Sequence, residues 1–239
     1  LLYDAQELRH VAVLLVGAPA LHTLAWIAVN ADAASAEARF VRLLERCPIS
    51  THAAAYGWET LSIHQEVANR PDDALHALER AIRANPDNPR YWRKVGEIHL
   101  EAGRDVEARR SFERALALDA DLVDAWLGLG IVSYRASEIA EAAALFERVV
   151  AQRPTDAAAW YNLGLCRSRQ GEPWEALRCF RTAVETKPDF ADAQYQLATL
   201  LRDLGETDAA RDAFARQLEL EPTGARADSI RRWLADTDE

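Results

Sequence analysis

Apolar residues recur along this chain at helical spacing, in stretches of about a dozen residues separated by short polar turns. In residues 123–156, one side of the first stretch carries Trp126, Leu129 and Gly130, and one side of the second carries Ala142, Leu145, Phe146 and Val149. A helix of this length cannot bury its apolar side alone. The pattern therefore predicts pairs of amphipathic helices that pack against each other and against neighbouring pairs.

The same residue types return every thirty-four positions. Tryptophan stands at Trp58, Trp92, Trp126 and Trp160, and glycine follows four residues later at Gly96, Gly130 and Gly164. Further along each unit come Ala74, Ala108, Ala142, Ala176 and Ala210, then Phe112, Phe146, Phe180 and Phe214. The units close on Pro86, Pro154, Pro188 and Pro222, with Ala120 in the proline position once. This succession resembles the tetratricopeptide repeat (TPR).

The resemblance implies an all-α fold, a right-handed superhelical solenoid of antiparallel helix pairs with about six repeats plus capping helices. It also implies that glycine and alanine allow the paired helices to approach closely, while phenylalanine fills the groove between neighbouring repeats. Three regions are predicted, namely an N-terminal helix with a degenerate TPR-like repeat (1–54), five repeats in phase (55–224), and a capping helix with an acidic tail (225–239). The repeats in phase are 55–88, 89–122, 123–156, 157–190 and 191–224.

Short turn sequences separate the two helices within each repeat. Gly103, Ser137, Gly171 and Gly205 stand where the first helix of a repeat should stop. Glycine tolerates the left-handed backbone conformation that commonly ends a helix. The prolines that close the repeats are expected to end the second helices, because proline cannot continue one.

The N-terminal region departs from the repeat pattern. Asp4 and Glu7 resemble a capping box, so a helix is expected to begin near Asp4. A degenerate repeat starting at Gly17 would place Ala36, Phe40, Leu43 and Pro48 at the alanine, phenylalanine, second-helix and proline positions. Residues 11–29 carry no formal charge, so a signal or membrane segment is the alternative interpretation.

Between Pro48 and Trp58 the chain holds four residues more than the repeat requires. Four residues make about one helical turn. Residues 50–54 are therefore expected to lengthen the first helix of the next repeat at its start, capped by Ser50 or Thr51.

At the other end of the chain, residues 225–235 predict one further helix. Its inward positions are Ala227, Ile230 and Leu234, and its outward positions are Arg226, Asp228, Arg231 and Arg232. A helix with one polar side is suited to cover the last repeat of a stack. Residues 236–239 are expected to form a disordered acidic tail.

Composition narrows the range of functions and locations. The formal net charge is -10 and the sequence pI is about 5.2, which argues against a nucleic-acid-binding surface. The three cysteines, Cys47, Cys166 and Cys179, have neither close pairing nor metal-ligand spacing. They favour a reducing compartment and a cytoplasmic location, with a periplasmic or membrane-associated one as the alternative if a targeting segment precedes Leu1. Because the chain starts with Leu1 and contains no methionine, we expect residues to precede it.

The chain contains no phosphate-binding glycine loop, nucleophile elbow or zinc-protease motif. His64 and His76 are predicted to be solvated, and His99 to be half-buried by packing. Asp72 and Asp73 lie at a predicted helix start, where negative charge favours the helix dipole. We therefore predict no catalytic residue, no metal site and no cofactor.

In the TPR family the first helices of the repeats line a concave inner face. Carried over position by position, the resemblance implies that this face exposes Arg90, Arg93, Lys94, Glu97, Leu127, Ile131, Tyr134, Arg135, Tyr161, Asn162, Leu165, Arg169, Tyr195, Gln196, Thr199 and Arg202. Asn162 matches an asparagine that many such repeats use to bind a peptide backbone. The nearest acids are Glu97 and Asp203, so the face is richer in cations than the chain as a whole.

The sequence therefore predicts a non-catalytic interaction scaffold that binds a protein or peptide segment in this groove. The excess of cations favours an acidic or carboxylate-ended segment. Membrane contact is not expected, except through the N-terminal apolar helices. Two alternatives stay open: a structural subunit of a larger, membrane-associated complex, and the TPR region of a transferase-type enzyme whose catalytic domain lies outside this chain.

Overall fold

The computed structural model of the chain describes residues 33–46 and 51–237. The chain forms two compact units, Leu1–Leu122 and Val123–Glu239. The described part of the first unit contains α1 (Ala33–Arg46), α2 (Thr51–Val67), α3 (Pro71–Ala84), α4 (Pro89–Glu101) and α5 (Asp105–Leu118). Every regular element in the described ranges is a helix, which confirms the predicted all-α class.

The second unit continues the same alternation of helices. It contains α6 (Val123–Arg135), α7 (Ile139–Gln152), α8 (Ala157–Arg169), α9 (Pro173–Thr186), α10 (Ala191–Asp203), α11 (Thr207–Leu220) and α12 (Ala225–Asp236). Consecutive helices pack as pairs: α2 with α3, α4 with α5, α6 with α7, α8 with α9, and α10 with α11. The boundaries of the repeats themselves stay a prediction.

The turn within each pair uses a left-handed residue, as the sequence predicts. Gly103, Gly171 and Gly205 have φ between 69° and 80°. Ser137 takes the same place with φ 63°. A side chain is strained in this conformation, so serine stabilises this turn less well than glycine does. The second helices end two residues before the prolines, as α7 does at Gln152.

In three of the pairs a glycine of the first helix lies against a phenylalanine ring of the second. A Cβ atom at Gly130 would lie 2.7 Å from Phe146, and one at Gly164 would lie 2.6 Å from Phe180. The phenylalanines are fully buried. The ring occupies the space that glycine leaves free within its own pair. Phe180 also belongs to one apolar cluster with Leu197 and Leu201 of α10, in keeping with the expectation that the ring packs between neighbouring repeats.

The helix α2 is longer than the other first helices, as predicted. It has 17 residues, whereas α4 has 13, a difference of four. Thr51 is the first residue of the helix, so it does not occupy the N-cap position, which precedes the helix. Ser50, the other predicted cap, lies outside the described residues.

The last helix covers the end of the second unit as predicted. Ala227 and Ile230 are buried, while Arg231 and Arg232 are exposed. Trp233 on the same helix lies 5.1 Å from the ring of Phe214. The prediction that the disordered tail starts at Asp236 is wrong, because Asp236 is the last residue of α12.

Several N-terminal predictions fall outside the described residues. They are the capping box at Asp4 and Glu7, the start of a repeat at Gly17, the uncharged stretch 11–29, and Cys47. In α1, Phe40 is fully buried, in keeping with the phenylalanine position predicted for it. None of the helices in residues 33–46 and 51–237 is long and apolar enough to cross a membrane.

The tryptophan register predicts that replacing Trp126 by alanine destabilises the protein much more than replacing Trp174. Trp126 is 3% exposed and Trp174 is 61% exposed. Replacing the buried ring by alanine removes packing inside a helix pair, so Trp126→Ala should lower the free energy of unfolding by about 3–5 kcal/mol. Trp174→Ala should cost clearly less in the same urea titration. Equal losses would show that the repeat register is misplaced.

Removal of α12 should have a local effect, because each helix pair is stabilised mainly by its neighbours. In a chain lacking residues 225–239, the apolar residues of α10 and α11 lose their cover. Hydrogen exchange should become faster in residues 191–222 and stay slow in residues 89–156. A uniform loss of protection over both regions would contradict a modular stack.

Candidate functional site

The predicted face residues are all accessible to some degree. Arg90, Arg135, Arg169 and Arg202 are exposed, and the others are half-buried. They lie on first helices: Arg90, Arg93, Lys94 and Glu97 on α4 in the first unit, and the remainder on α6, α8 and α10 in the second. The two groups belong to different units.

Two cations of α4 are already paired within the first unit. Arg93 donates to Glu97, one turn further along the helix. The Lys94 Nζ lies 3.6 Å from a carboxylate oxygen of Glu66 on α2. Both cations are half-buried and already paired, and their role in binding a partner stays a prediction.

Sequence reasoning missed the acids on α2. Glu59 stands thirty-four residues before Arg93, so the repeat register itself places it at the same position of the preceding repeat. Burial raises the pKa of Glu59 above its ordinary value, although the charges of Lys94, Arg90 and Arg93 act in the opposite direction. With Glu59 and Glu66 beside them, the α4 cations form a locally balanced cluster.

In the second unit the accessible residues follow one stripe on each first helix. On α6, Leu127, Ile131 and Tyr134 are spaced by four and then three residues, which puts them on one side of the helix. The opposite side of α6 carries buried Trp126 and Leu129. The tyrosine face is defined here as Leu127, Ile131, Tyr134, Arg135, Tyr161, Asn162, Leu165, Arg169, Tyr195, Gln196, Thr199 and Arg202.

Tyr161 in this face is held by aromatic packing. Its ring lies 5.0 Å from Phe190 and 6.0 Å from Phe180, measured between centroids. Gln196 on α10 forms a hydrogen bond with its hydroxyl group. Burial, followed by the negative charge of Asp192, raises the pKa of Tyr161, so the phenol stays neutral at physiological pH.

Tyr195 is fixed in a similar way. Its ring centroid lies 6.2 Å from that of Phe214. The guanidinium carbon of Arg226 lies 4.4 Å from the centre of the Tyr195 ring. An ordered aromatic ring loses little conformational entropy on binding, so Tyr161 and Tyr195 are suitable contact residues.

Asn162 is less free than the resemblance implies. Its side-chain NH₂ donates to the carbonyl oxygen of Ala158, 2.9 Å away and one turn earlier in α8. An amide side chain has two N–H donors and one oxygen acceptor. Asn162 therefore keeps one donor and the oxygen for a partner, and its role in binding a backbone stays a prediction.

The cations of the tyrosine face differ in their environments. Arg202 is paired with Asp203, with 2.8 Å between its terminal nitrogen and the carboxylate oxygen. The guanidinium carbon of Arg169 lies 4.6 Å from the centre of the Tyr134 ring. Within residues 33–46 and 51–237, no carboxylate forms an ion pair with Arg169.

The histidines have the environments predicted from the sequence. His64 and His76 are exposed. His99 is half-buried, and burial, followed by the charge of Arg104, lowers its pKa. No group of three His, Cys, Asp or Glu residues able to hold a metal ion exists in the described part of the chain.

Two cysteines are buried inside one helix pair. Cys166 on α8 and Cys179 on α9 are both free thiols. Burial raises the pKa of each thiol to about 11. Because the thiolate is the reactive form, neither cysteine is prepared for nucleophilic chemistry near neutral pH.

Comparison with family models identifies the class of protein. Two tetratricopeptide repeat models match residues 61–123 and 99–164. A model described as the cilia and flagella-associated protein 70 middle TPR-like domain matches residues 135–235. The chain therefore belongs to the TPR family, as the thirty-four-residue register predicts.

Solved structures agree with this assignment. MamA is 25% identical with a TM-score of 0.61, and the match covers 67% of this chain and 94% of MamA. PilF of Pseudomonas aeruginosa is 17% identical with a TM-score of 0.72, covering 78% of this chain and 85% of PilF. YrrB, described as a TPR protein with an unusual peptide-binding site, is 21% identical with a TM-score of 0.61, and the match covers 74% of this chain and 92% of YrrB. No curated protein matches the chain significantly.

The buried thiols predict a simple reactivity pattern. In a Cys47→Ser background at pH 8, Cys166 and Cys179 should react slowly with a thiol reagent in the native protein and rapidly in urea. Ser168→Cys on exposed α8 surface provides the matched control and should react at once without denaturant. Rapid native reaction of both buried thiols would contradict their packing.

Proposed function

We propose that this chain is a non-catalytic interaction scaffold that binds an extended acidic segment of a partner protein on the tyrosine face of the second unit. The observation that carries the proposal is the combination, on α6, α8 and α10, of ordered half-buried tyrosines with exposed arginines. Tyrosine and arginine are enriched where protein surfaces bind one another.

The distribution of charge favours the second unit over the first. The α4 cations are balanced by Glu59, Glu66 and Glu97. In the tyrosine face, Arg169 has an aromatic ring rather than a carboxylate as its neighbour. A negatively charged segment would therefore gain more from the tyrosine face than from the α4 cluster.

The comparisons support the general class of this function. The match to TPR models and the likeness to a peptide-binding TPR protein both favour a protein-binding role. For the location we propose the cytoplasm, since Cys166 and Cys179 are free thiols. The acidic nature of the partner rests on the residues of the tyrosine face alone.

A defined peptide panel tests the proposal. The full chain is immobilised and offered pools of eight-residue peptides, acetylated and amidated at their ends, built from Glu, Leu and Tyr. Matched pools contain Gln or Lys in place of Glu. The Glu pool should be retained best, and retention should fall as salt rises, because exposed charges are screened over about 8–10 Å at physiological ionic strength.

Charge reversal on the tyrosine face should abolish this retention. The double variant Arg135→Glu, Arg169→Glu repels a carboxylate, and both residues are exposed, so helicity and melting temperature should stay unchanged. The double variant Arg178→Glu, Arg181→Glu makes the same change of charge on exposed positions of α9 and should retain the Glu pool. Equal retention by both variants would falsify binding at the tyrosine face.

A further inference from the structure

The side chain of Arg169 spans two helices of the second unit. It leaves the last turn of α8 and covers the ring of Tyr134 on α6, at 4.6 Å from its centroid. Contact with an aromatic face orients a guanidinium group without using its hydrogen bonds. The N–H donors lie in the plane of the group, so a guanidinium ion that lies over a ring can still bind a carboxylate at its edge.

In the described part of the chain, two other arginines have both an aromatic ring on one side and a carboxylate at the edge. Arg226 lies over the ring of Tyr195 and donates to Asp192 at 2.9 Å. The hydrogen bond to Asp192 raises the pKa of Arg226. In the first unit, Arg80 lies 5.1 Å from the centre of the Trp58 ring and donates to Glu45 at 2.8 Å. An aromatic ring on one side and a carboxylate at the edge are thus a recurrent environment for arginine in this protein.

Arg169 has the ring but, in the part of the chain that the structure describes, no carboxylate partner. It is exposed, as are Arg135 on α6 and Arg202 on α10. Arg202 differs because its Nε and one terminal nitrogen already donate to Asp203. Arg169 is therefore the cation of the tyrosine face with the best combination of fixed orientation and available donors.

We propose that Arg169, oriented by Tyr134, binds a side-chain carboxylate of the partner segment through paired N–H donors and so determines the specificity of the tyrosine face for Glu or Asp. Tyr134 is a positioning residue. The carboxylate belongs to a side chain rather than a chain end, because accessible residues continue on both sides of Arg169 and allow a segment to pass. The inference rests on the proposed function and names the residue that recognises the acidic group.

A small-molecule titration tests the role of Arg169 without a peptide. The probes are N-acetylglutamate α-amide, which has only the side-chain carboxylate, and its neutral glutamine counterpart. The Nε–Hε NMR resonance of Arg169 should shift in a saturable manner with the first probe and stay still with the second. Arg226, already paired with Asp192, is one internal control. Arg148 on α7 is the other; its guanidinium carbon lies 4.0 Å from the ring centre of Trp126, and the residue is outside the tyrosine face.

An equal response of Arg169 and Arg148 overturns the proposal, because the effect would then be that of any arginine beside a ring. The same holds if the Arg169 resonance does not move. Neither result depends on peptide binding, so neither contradicts the proposed function.

Peptide binding by full-length variants provides the second test. Arg169→Lys keeps the charge but loses the planar pair of donors and the ring contact, so affinity for the acetylated and amidated Glu pool should fall about tenfold. Tyr134→Leu should weaken binding by a smaller factor at unchanged melting temperature. Arg148→Lys should bind like the wild type. A Gln pool with free C-terminal carboxylates should bind weakly to all of them.

The outcomes distinguish a failure of the Arg169 proposal from a failure of the proposed function. If wild type and Arg169→Lys bind the Glu pool equally, the proposal fails while the proposed function stands. If the Gln pool with free carboxylates binds as well as the Glu pool, recognition of a side-chain carboxylate is refuted. If the wild type retains no Glu peptide, the proposed function fails, and the NMR titration still decides whether Arg169 binds a carboxylate.

Discussion

The structure depends on a contact in three helix pairs, α4–α5, α6–α7 and α8–α9, where a phenylalanine of the second helix lies against a glycine of the first. At Gly96, Gly130 and Gly164 a methyl group would come within 2.6–2.7 Å of the ring. Real side-chain contacts are longer, so only glycine permits this approach without a shift of the ring or the helix. The α10–α11 pair has Ala198 instead of glycine, and there Phe214 packs against Tyr195 and Trp233.

This contact determines which residues remain for function. In α6 and α8 the side that carries glycine is buried against the second helix of the pair. The stripe that includes Tyr134, Tyr161 and Tyr195, on α6, α8 and α10, stays accessible. The thirty-four-residue period repeats the stripe from one first helix to the next. The same regularity that stabilises the stack therefore aligns side chains of successive repeats into one surface.

The accessible sides of the first helices differ in charge between the two units, although the helices have the same backbone conformation. In the first unit, α2 contributes Glu59 and Glu66 to the neighbourhood of the α4 cations, and the charges compensate one another. In the second unit, the positions of α6 and α8 that correspond to Glu59 are Leu127 and Tyr161, and the face is apolar with arginines at its edge. A chain with a net charge of -10 can thus carry a local surface suited to an acidic partner.

The amino-acid sequence by itself determined the helix pairs, their turns, the additional turn of α2 and the covering role of α12. It could do so because these features depend on local chemistry: left-handed turn residues, proline after a helix, and apolar residues at helical spacing. It also indicated which positions of α6, α8 and α10 are accessible. Only the tertiary structure decided what those side chains contact. The pairing of Lys94 with Glu66, the hydrogen bond of Asn162 within α8 and the position of Arg169 over Tyr134 depend on rotamers and on distances between helices, which residue spacing along one helix does not encode.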